Sequence, residues 1–188
     1  MNDSKNILSK RFSRFNRISR YGIAAAAILI LLLVCYWLYT FYTLSSNKLY
    51  SENFSDYELT TLRDTSSRSE TSIEKAYCEK KYDEVIRLHA ISVLSAKEIF
   101  LTGLSYLQVN DPANAISSFQ VVLTDMDKEK SSSLKDDTEY YLALAYLKNR
   151  DFDQSIELMN KIHDNPVHLY KNKFPAKFIS RVKMLKWR

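Results

Sequence analysis

The side chains able to do covalent or metal chemistry are three histidines, two cysteines, and scattered serines and carboxylates. His163 and His168, the nearest two histidines, straddle Asn165-Pro166. That break stops them presenting ring nitrogens at i and i+4 from one helix face, as a helical metal pair does, and His89 lies far from both. Exposed or capping histidines are therefore expected. Cys78 follows Tyr77 in an amphipathic stretch, which suits a small buried apolar residue better than an activated thiolate. Asp125, Asp127 and Glu129 alternate like a calcium loop in a polar linker, but the central glycine and the closing bidentate glutamate are missing. The serines have no strand-turn-helix elbow around them. The sequence predicts no catalytic residue, no metal ligand and no cofactor, so an enzyme is not expected and the function must lie in contact.

The elements that could position a contact surface are helical. Gly22 and Gly103 are the only glycines, and Pro112, Pro166 and Pro175 the only prolines. A hairpin-rich β architecture needs turn residues every few positions, and a phosphate loop needs clustered glycine. An all-α chain remains. Residues 23–42 form an almost uncharged apolar run, preceded by Lys5, Lys10, Arg11, Arg14, Arg17 and Arg20 against one acid, Asp3. Twenty helical residues rise about 30 Å, the thickness of bilayer hydrocarbon. The basic flank places the N-terminus in the cytoplasm, and Tyr36, Trp37, Tyr39, Phe41 and Tyr42 suit an aromatic belt at the outer interface. A cleaved signal peptide has a shorter core and a small-residue cleavage site, so retention as an anchor is expected.

The net charge of +5 comes from the two ends, because residues 21–166 carry 14 basic and 21 acidic side chains, a net of −7. Residues 167–188 hold Lys171, Lys173, Lys177, Arg181, Lys183, Lys186 and Arg188 with no acid. Nucleic-acid binding would need one concentrated basic face, and the N-terminal cluster already serves topology and anionic lipid. The expected organisation is a cytoplasmic tail (1–20), a transmembrane helix (21–43), a polar stalk (44–71) and a helical domain (72–188). The stalk is rich in Ser and Thr, with scattered apolar residues at Leu49, Tyr50, Phe54, Tyr57, Leu59 and Leu62.

Three helix pairs are outlined within the domain, at about 72–92, 95–126 and 136–165, followed by a C-terminal helix at about 174–187. The second pair breaks at Asn110-Asp111-Pro112, where Asp111 caps the next helix and Pro112 takes its first position. The third breaks at Asn149-Arg150-Asp151. Laid together, LTGLSYLQVNDPANAISSF and YLALAYLKNRDFDQSIELM place Gly103 on Ala143, Tyr106 on Tyr146, Ala115 on Ser155 and Phe119 on Met159. Small residues let helices approach closely, and a large residue one turn later fills the gap, so each pair buries its face by stacking on a neighbour.

These residues resemble the tetratricopeptide repeat, over roughly residues 72–166. The resemblance departs from the ideal in its spacing, 40 residues between the second and third pairs instead of 34, with the excess in the polar stretch 128–137. It implies an α-solenoid of two to three helix pairs closed by the C-terminal helix as a cap. It also implies a concave binding surface on the first helices, made here of Phe100, Leu104, Leu107, Tyr140, Leu144 and Leu147. Only Lys97 and Lys148 could imitate a carboxylate clamp. An apolar surface of this kind would take an amphipathic helix or extended apolar segment, unless it is core covered by the C-terminal helix or a second subunit.

The functional expectation is a single-pass inner-membrane protein with a periplasmic interaction domain, a scaffold or accessory subunit of an envelope or translocation complex. Its partners would be membrane or exported proteins, with lipid met through the anchor, a homodimer open, and no nucleic acid or small-molecule substrate. A transmembrane signalling protein, whose tail contacts a soluble regulator, is the alternative.

Overall fold

A computed structural model of the chain describes residues 25–39, 41–58, 71–91, 94–129 and 134–187. The basic tail and residues 59–70 lie outside these. The chain divides into two compact units, residues 1–44 and 45–188.

The first unit contains α1 (Ala25–Thr43), 19 residues with a mean hydropathy of 2.1 and no burial within the fold. It is long and apolar enough to cross a membrane. Trp37 stacks on Phe41 near its end, with ring centroids 5.6 Å apart.

The second unit is helical, with no strand among the described residues. Its helices are α2 (Ser46–Asn53), α3 (Ser72–Cys78), α4 (Tyr82–His89), α5 (Ala96–Gln108), α6 (Pro112–Glu129), α7 (Lys135–Asn149), α8 (Phe152–Asp164) and α9 (Ala176–Lys186). Consecutive helices pack from α3 through α9, and α3, α5 and α7 also touch in sequence, forming an inner row. α2 lies against α7 and α9. Two of the inner helices start with a capping box: Thr71 with Glu74 on α3, and Ser95 with Glu98 on α5. Each box satisfies two otherwise unpaired backbone N–H groups, and such caps contribute about 1 kcal/mol.

All three hairpins close through the same turn. Lys80, Asn110 and Arg150 adopt positive φ of 57°, 65° and 67°. The next residue in each, Lys81, Asp111 or Asp151, donates its N–H five residues back, to the carbonyl of Ala76, Tyr106 or Tyr146 at 2.8–2.9 Å. This left-handed closure satisfies helix-end carbonyls that would otherwise be left bare. The first pair, whose sequence is the least repetitive, thus shares backbone geometry with the other two. Asp111 also caps α6, accepting the Asn114 N–H at 3.2 Å.

Small and large side chains meet between the helices of each pair. Ala115, Phe119, Ala143, Ser155 and Met159 are fully buried, and Tyr106 and Tyr146 are half-buried. A Cβ on Gly103 would stand 2.6 Å from the Phe119 ring, so α5 and α6 touch where only glycine fits. In the next hairpin Ser155 donates its hydroxyl to the Ala143 carbonyl at 3.0 Å, and the smaller Ala143/Met159 pair replaces Gly103/Phe119.

Two expectations about local form change. Residues 125, 127 and 129 belong to α6, which runs on to Glu129, because Asp, Lys and Glu continue a helix at little cost. Cys78 is exposed, since it closes α3 at the turn and not on its buried face.

Candidate interaction groove

The residues predicted to form an open concave surface are all in the core. Phe100, Tyr140, Leu144 and Leu147 are 0% exposed, and Leu104 and Leu107 are 1%. What lies along the inner row is the chain's own residues 46–58, the first half of the segment read as a stalk. The cause is apolar: Leu49 and Tyr50 are buried on one face of α2, and Phe54 and Tyr57 continue from the extended stretch after it. Tyr57 meets Phe100 edge-on at 5.0 Å, while Phe54 and Tyr57 both meet Tyr141, at 6.0 and 6.2 Å. Edge-to-face pairs at these separations add to area burial.

Three phenol groups read the main chain of this segment. Tyr140 donates its hydroxyl to the Asn53 carbonyl, Tyr141 to Ser55 at 2.8 Å, and Tyr77 to Tyr57 at 3.4 Å. Asn53 ends α2 with a free helix-end carbonyl, and Ser55 and Tyr57 are alternate residues of the extended stretch after it, so all three carbonyls can face tyrosines supplied by α3 and α7. These are contacts to backbone, largely indifferent to the side chains of the occupant. Burial raises the pKa of all three phenols, taking Tyr140 up to about 12, so they stay protonated donors.

Polar groups fix the segment's position. Arg181 of α9 binds both oxygens of Glu52 at 2.6 and 3.0 Å, and Gln108 of α5 donates to Asp56 at 2.8 Å. The Arg181 hydrogen bond holds Glu52 below the usual carboxylate range. Lys148 donates to the Leu107 carbonyl at 2.9 Å and lies 4.5 Å from the Tyr50 ring centre. Burial lowers its pKa below the usual lysine value. Lys97 pairs with Glu74 at 2.6 Å. Neither lysine is placed to clamp a terminal carboxylate.

One histidine departs from expectation. His168 is 5% exposed, with Nε2 3.6 Å from Asp136 and 3.5 Å from Glu139. Its Nδ1 accepts the Tyr170 N–H at 3.1 Å, which puts the ring proton of neutral imidazole on Nε2, facing the two carboxylates. Nε2 itself makes no hydrogen bond among the described residues, and the loop before α9 is clipped to α7 by its neighbours, the Leu169 N–H on Asp136 and the Tyr170 hydroxyl on Asp137. Among the described residues no cluster of His, Cys, Asp and Glu is arranged to hold a metal.

The signal that sequence reading passed over is the spacing of Tyr50, Phe54 and Tyr57 at i, i+4 and i+7, a short apolar stripe inside a Ser-rich stretch. Tyr77 and Tyr140 were legible as helix positions, but not as main-chain donors, and Tyr141 carried no signal of its own.

Fold and site together define an all-helical domain of three stacked hairpins, whose inner row carries an aromatic, backbone-reading groove filled by the chain itself. Comparison with known proteins finds no family, no characterised protein and no solved structure that matches this chain.

Proposed function

We propose that the chain is a membrane-anchored protein–protein interaction module, a scaffold or accessory subunit of an envelope or translocation complex, built on a tetratricopeptide-like domain. In this reading α1 spans the inner membrane, with the tail cytoplasmic and the helical domain periplasmic. The observation that carries it is the row of Tyr77, Tyr140 and Tyr141 hydroxyls on three alternate backbone carbonyls. A surface that holds chain by its carbonyls, with aromatic seats between them, has the chemistry of a peptide receptor. The shared hairpin turn and the Gly103/Phe119 and Ala143/Met159 packing support the repeat reading. The resident segment is then a placeholder, and a partner's extended aromatic segment competes with it.

The test uses a labelled peptide of residues 46–58 and fluorescence anisotropy. The full chain carrying Leu49→Ala and Phe54→Ala, with helical circular dichroism retained, binds the peptide at least tenfold more tightly than the native chain. Adding Tyr77→Phe and Tyr141→Phe weakens that binding by about fivefold per hydroxyl, each hydrogen bond contributing about 1 kcal/mol. A folded, opened variant with no affinity for the peptide refutes the proposal.

A further inference from the structure

We infer that the loop between α8 and α9, residues 166–173, docks on the surface of an anionic phospholipid bilayer. In this pose Val167 and Leu169 enter the interface, and Lys171, Lys173 and Lys177 meet headgroup phosphates. Alternate residues of the loop face opposite ways. His168 and Tyr170 turn inward, where the Leu169 N–H binds Asp136 at 2.8 Å and the Tyr170 hydroxyl binds Asp137 at 2.6 Å. The Tyr170 ring stacks on Tyr140 at 4.2 Å. Fixed at these points, the loop holds Val167 82% and Leu169 78% exposed, so two neighbouring apolar side chains are presented to solvent by a pinned backbone.

The charge beside them favours lipid. Lys171, Lys173, Lys177 and Lys183 make no ion pair among the described residues, whereas Arg181 and Lys186 are paired with Glu52 and Asp153. Asp136, Asp137 and Glu139 lie on the inner side, bound to or facing the loop, and exposed Asp164 is the acid nearest in sequence. Apolar side chains with unpaired lysines next to them form the pattern that binds an interface carrying negative charge. The basic C-terminal helix does not fill this role with its own apolar face, because Phe178, Ile179, Val182 and Leu185 of α9 are buried.

Chain connectivity supplies the membrane. Two residues, Leu44 and Ser45, join α1 to α2, and α2 is 8 residues, about 12 Å long. Asn172, Lys173 and Lys177 share a cleft with Glu52 and Asn53 at the end of that helix. Within the second unit the loop thus adjoins the C-terminal end of α2, the first helix after the apolar run. This step rests on reading α1 as a bilayer span.

The experiment reconstitutes the full chain, with Cys35→Ser and Cys78→Ser, into phosphatidylcholine nanodiscs with and without phosphatidylglycerol. Val167→Cys, Leu169→Cys and, as a control, exposed Val121→Cys each carry an NBD label. Docking gives a blue shift at 167 and 169 in the anionic discs, little shift in the neutral discs and none at 121. Changing Lys171, Lys173 and Lys177 to Gln lowers the docked-to-undocked ratio by about fivefold per lysine. Labels that stay in water on anionic discs, or that are shielded only by an added protein, overturn the proposal. Co-elution of chain and disc tests the span separately. If the chain does not co-elute, the same labels are read with anionic vesicles added, and absence of a shift there overturns docking independently of the anchor.

Discussion

Replacing Gly103 with alanine sets two known effects against each other. On an unhindered helix face the change stabilises by about 1 kcal/mol, because glycine carries the larger backbone entropy cost. Here the new methyl would stand 2.6, 2.9 and 3.0 Å from Cε1, Cδ1 and Cζ of Phe119. Ordinary carbon contacts lie near about 3.5–4.0 Å, so the ring must retreat by about 1 Å. It has nowhere open to go: Phe119 is fully buried and Phe100 sits 5.8 Å away, centre to centre. Overpacking of this kind costs about 1–3 kcal/mol, and a buried ring that cannot retreat puts the cost in the upper part of that range, about 2–3 kcal/mol, for a net loss of about 1–2 kcal/mol after the helix gain. For the unit spanning residues 45–188, that loss lowers Tm by about 3–6 °C. Thermal unfolding of this fragment by circular dichroism measures it. The neighbouring hairpin supplies the rescue, since it uses alanine opposite methionine. Gly103→Ala combined with Phe119→Met should show a favourable coupling of about 1–2 kcal/mol in a double-mutant cycle. A higher Tm for Gly103→Ala alone, or additive effects of the two changes, would refute the reasoning that this contact sets the spacing of α5 and α6.

Tyr141→Phe removes the donor to the Ser55 carbonyl and costs about 1 kcal/mol, with faster hydrogen exchange and protease cutting confined to residues 54–58. His168→Ala leaves the Tyr170 N–H without its acceptor and opens space in front of Asp136 and Glu139, a loss of about 1–3 kcal/mol that urea unfolding would resolve. Alkali acts through the phenols: Tyr50, Tyr77, Tyr140, Tyr141 and Tyr170 all have pKa values raised chiefly by burial. Above about pH 10 the unfolded chain loses tyrosine protons that the folded chain keeps, so their stabilisation is complete below that pH and drains away as pH rises toward 12 and beyond, by about 1.4 kcal/mol per pH unit for each proton retained. A urea midpoint that stays level through this range would contradict the burial of these rings.

The hairpins were legible because their determinants are local. Asn110-Asp111-Pro112 and Asn149-Arg150-Asp151 write the helix breaks into adjacent residues, and the apolar period on either side marks the buried faces. Gly103 could be matched with Ala143, and Phe119 with Met159, because each sits at a fixed offset from its turn; that Gly103 meets Phe119 is seen only in the structure. The segment 46–58 has no such local signature. Its apolar residues change from helical to extended presentation at Phe54, and its hydrogen-bond partners Tyr140 and Tyr141 lie 86–87 residues further on. Polar Ser and Asn fill the positions between, so composition alone reads as a connector. The inner face of Phe100, Leu104, Tyr140 and Leu144 has the pattern of a surface that must be covered. That pattern carries no information about which segment does the covering. His168 was misread for a related reason: its burial comes from Asp136, Glu139 and Tyr170 converging across two elements, and its sequence neighbours, Val167 and Leu169, are exposed.

Under the proposed function, a filled groove changes what a partner has to do. An open row of Phe, Leu and Tyr would be a large apolar patch, which soluble domains rarely leave uncovered, and residues 46–58 remove that hazard while using the same contacts a ligand would use. The occupant is tethered, so a partner competes against an effective concentration on the order of millimolar, and its apparent affinity falls by the fraction of time the groove is open. Each kcal/mol removed from the resident segment therefore raises partner affinity about fivefold until the groove is mostly empty. The same loss appears with opposite sign in the stability of the free domain, because one set of contacts serves both states. Arg181 with Glu52 and Gln108 with Asp56 become the controls on that balance: they hold the segment from outside the aromatic seats, where changing them alters occupancy and leaves the receptor surface intact.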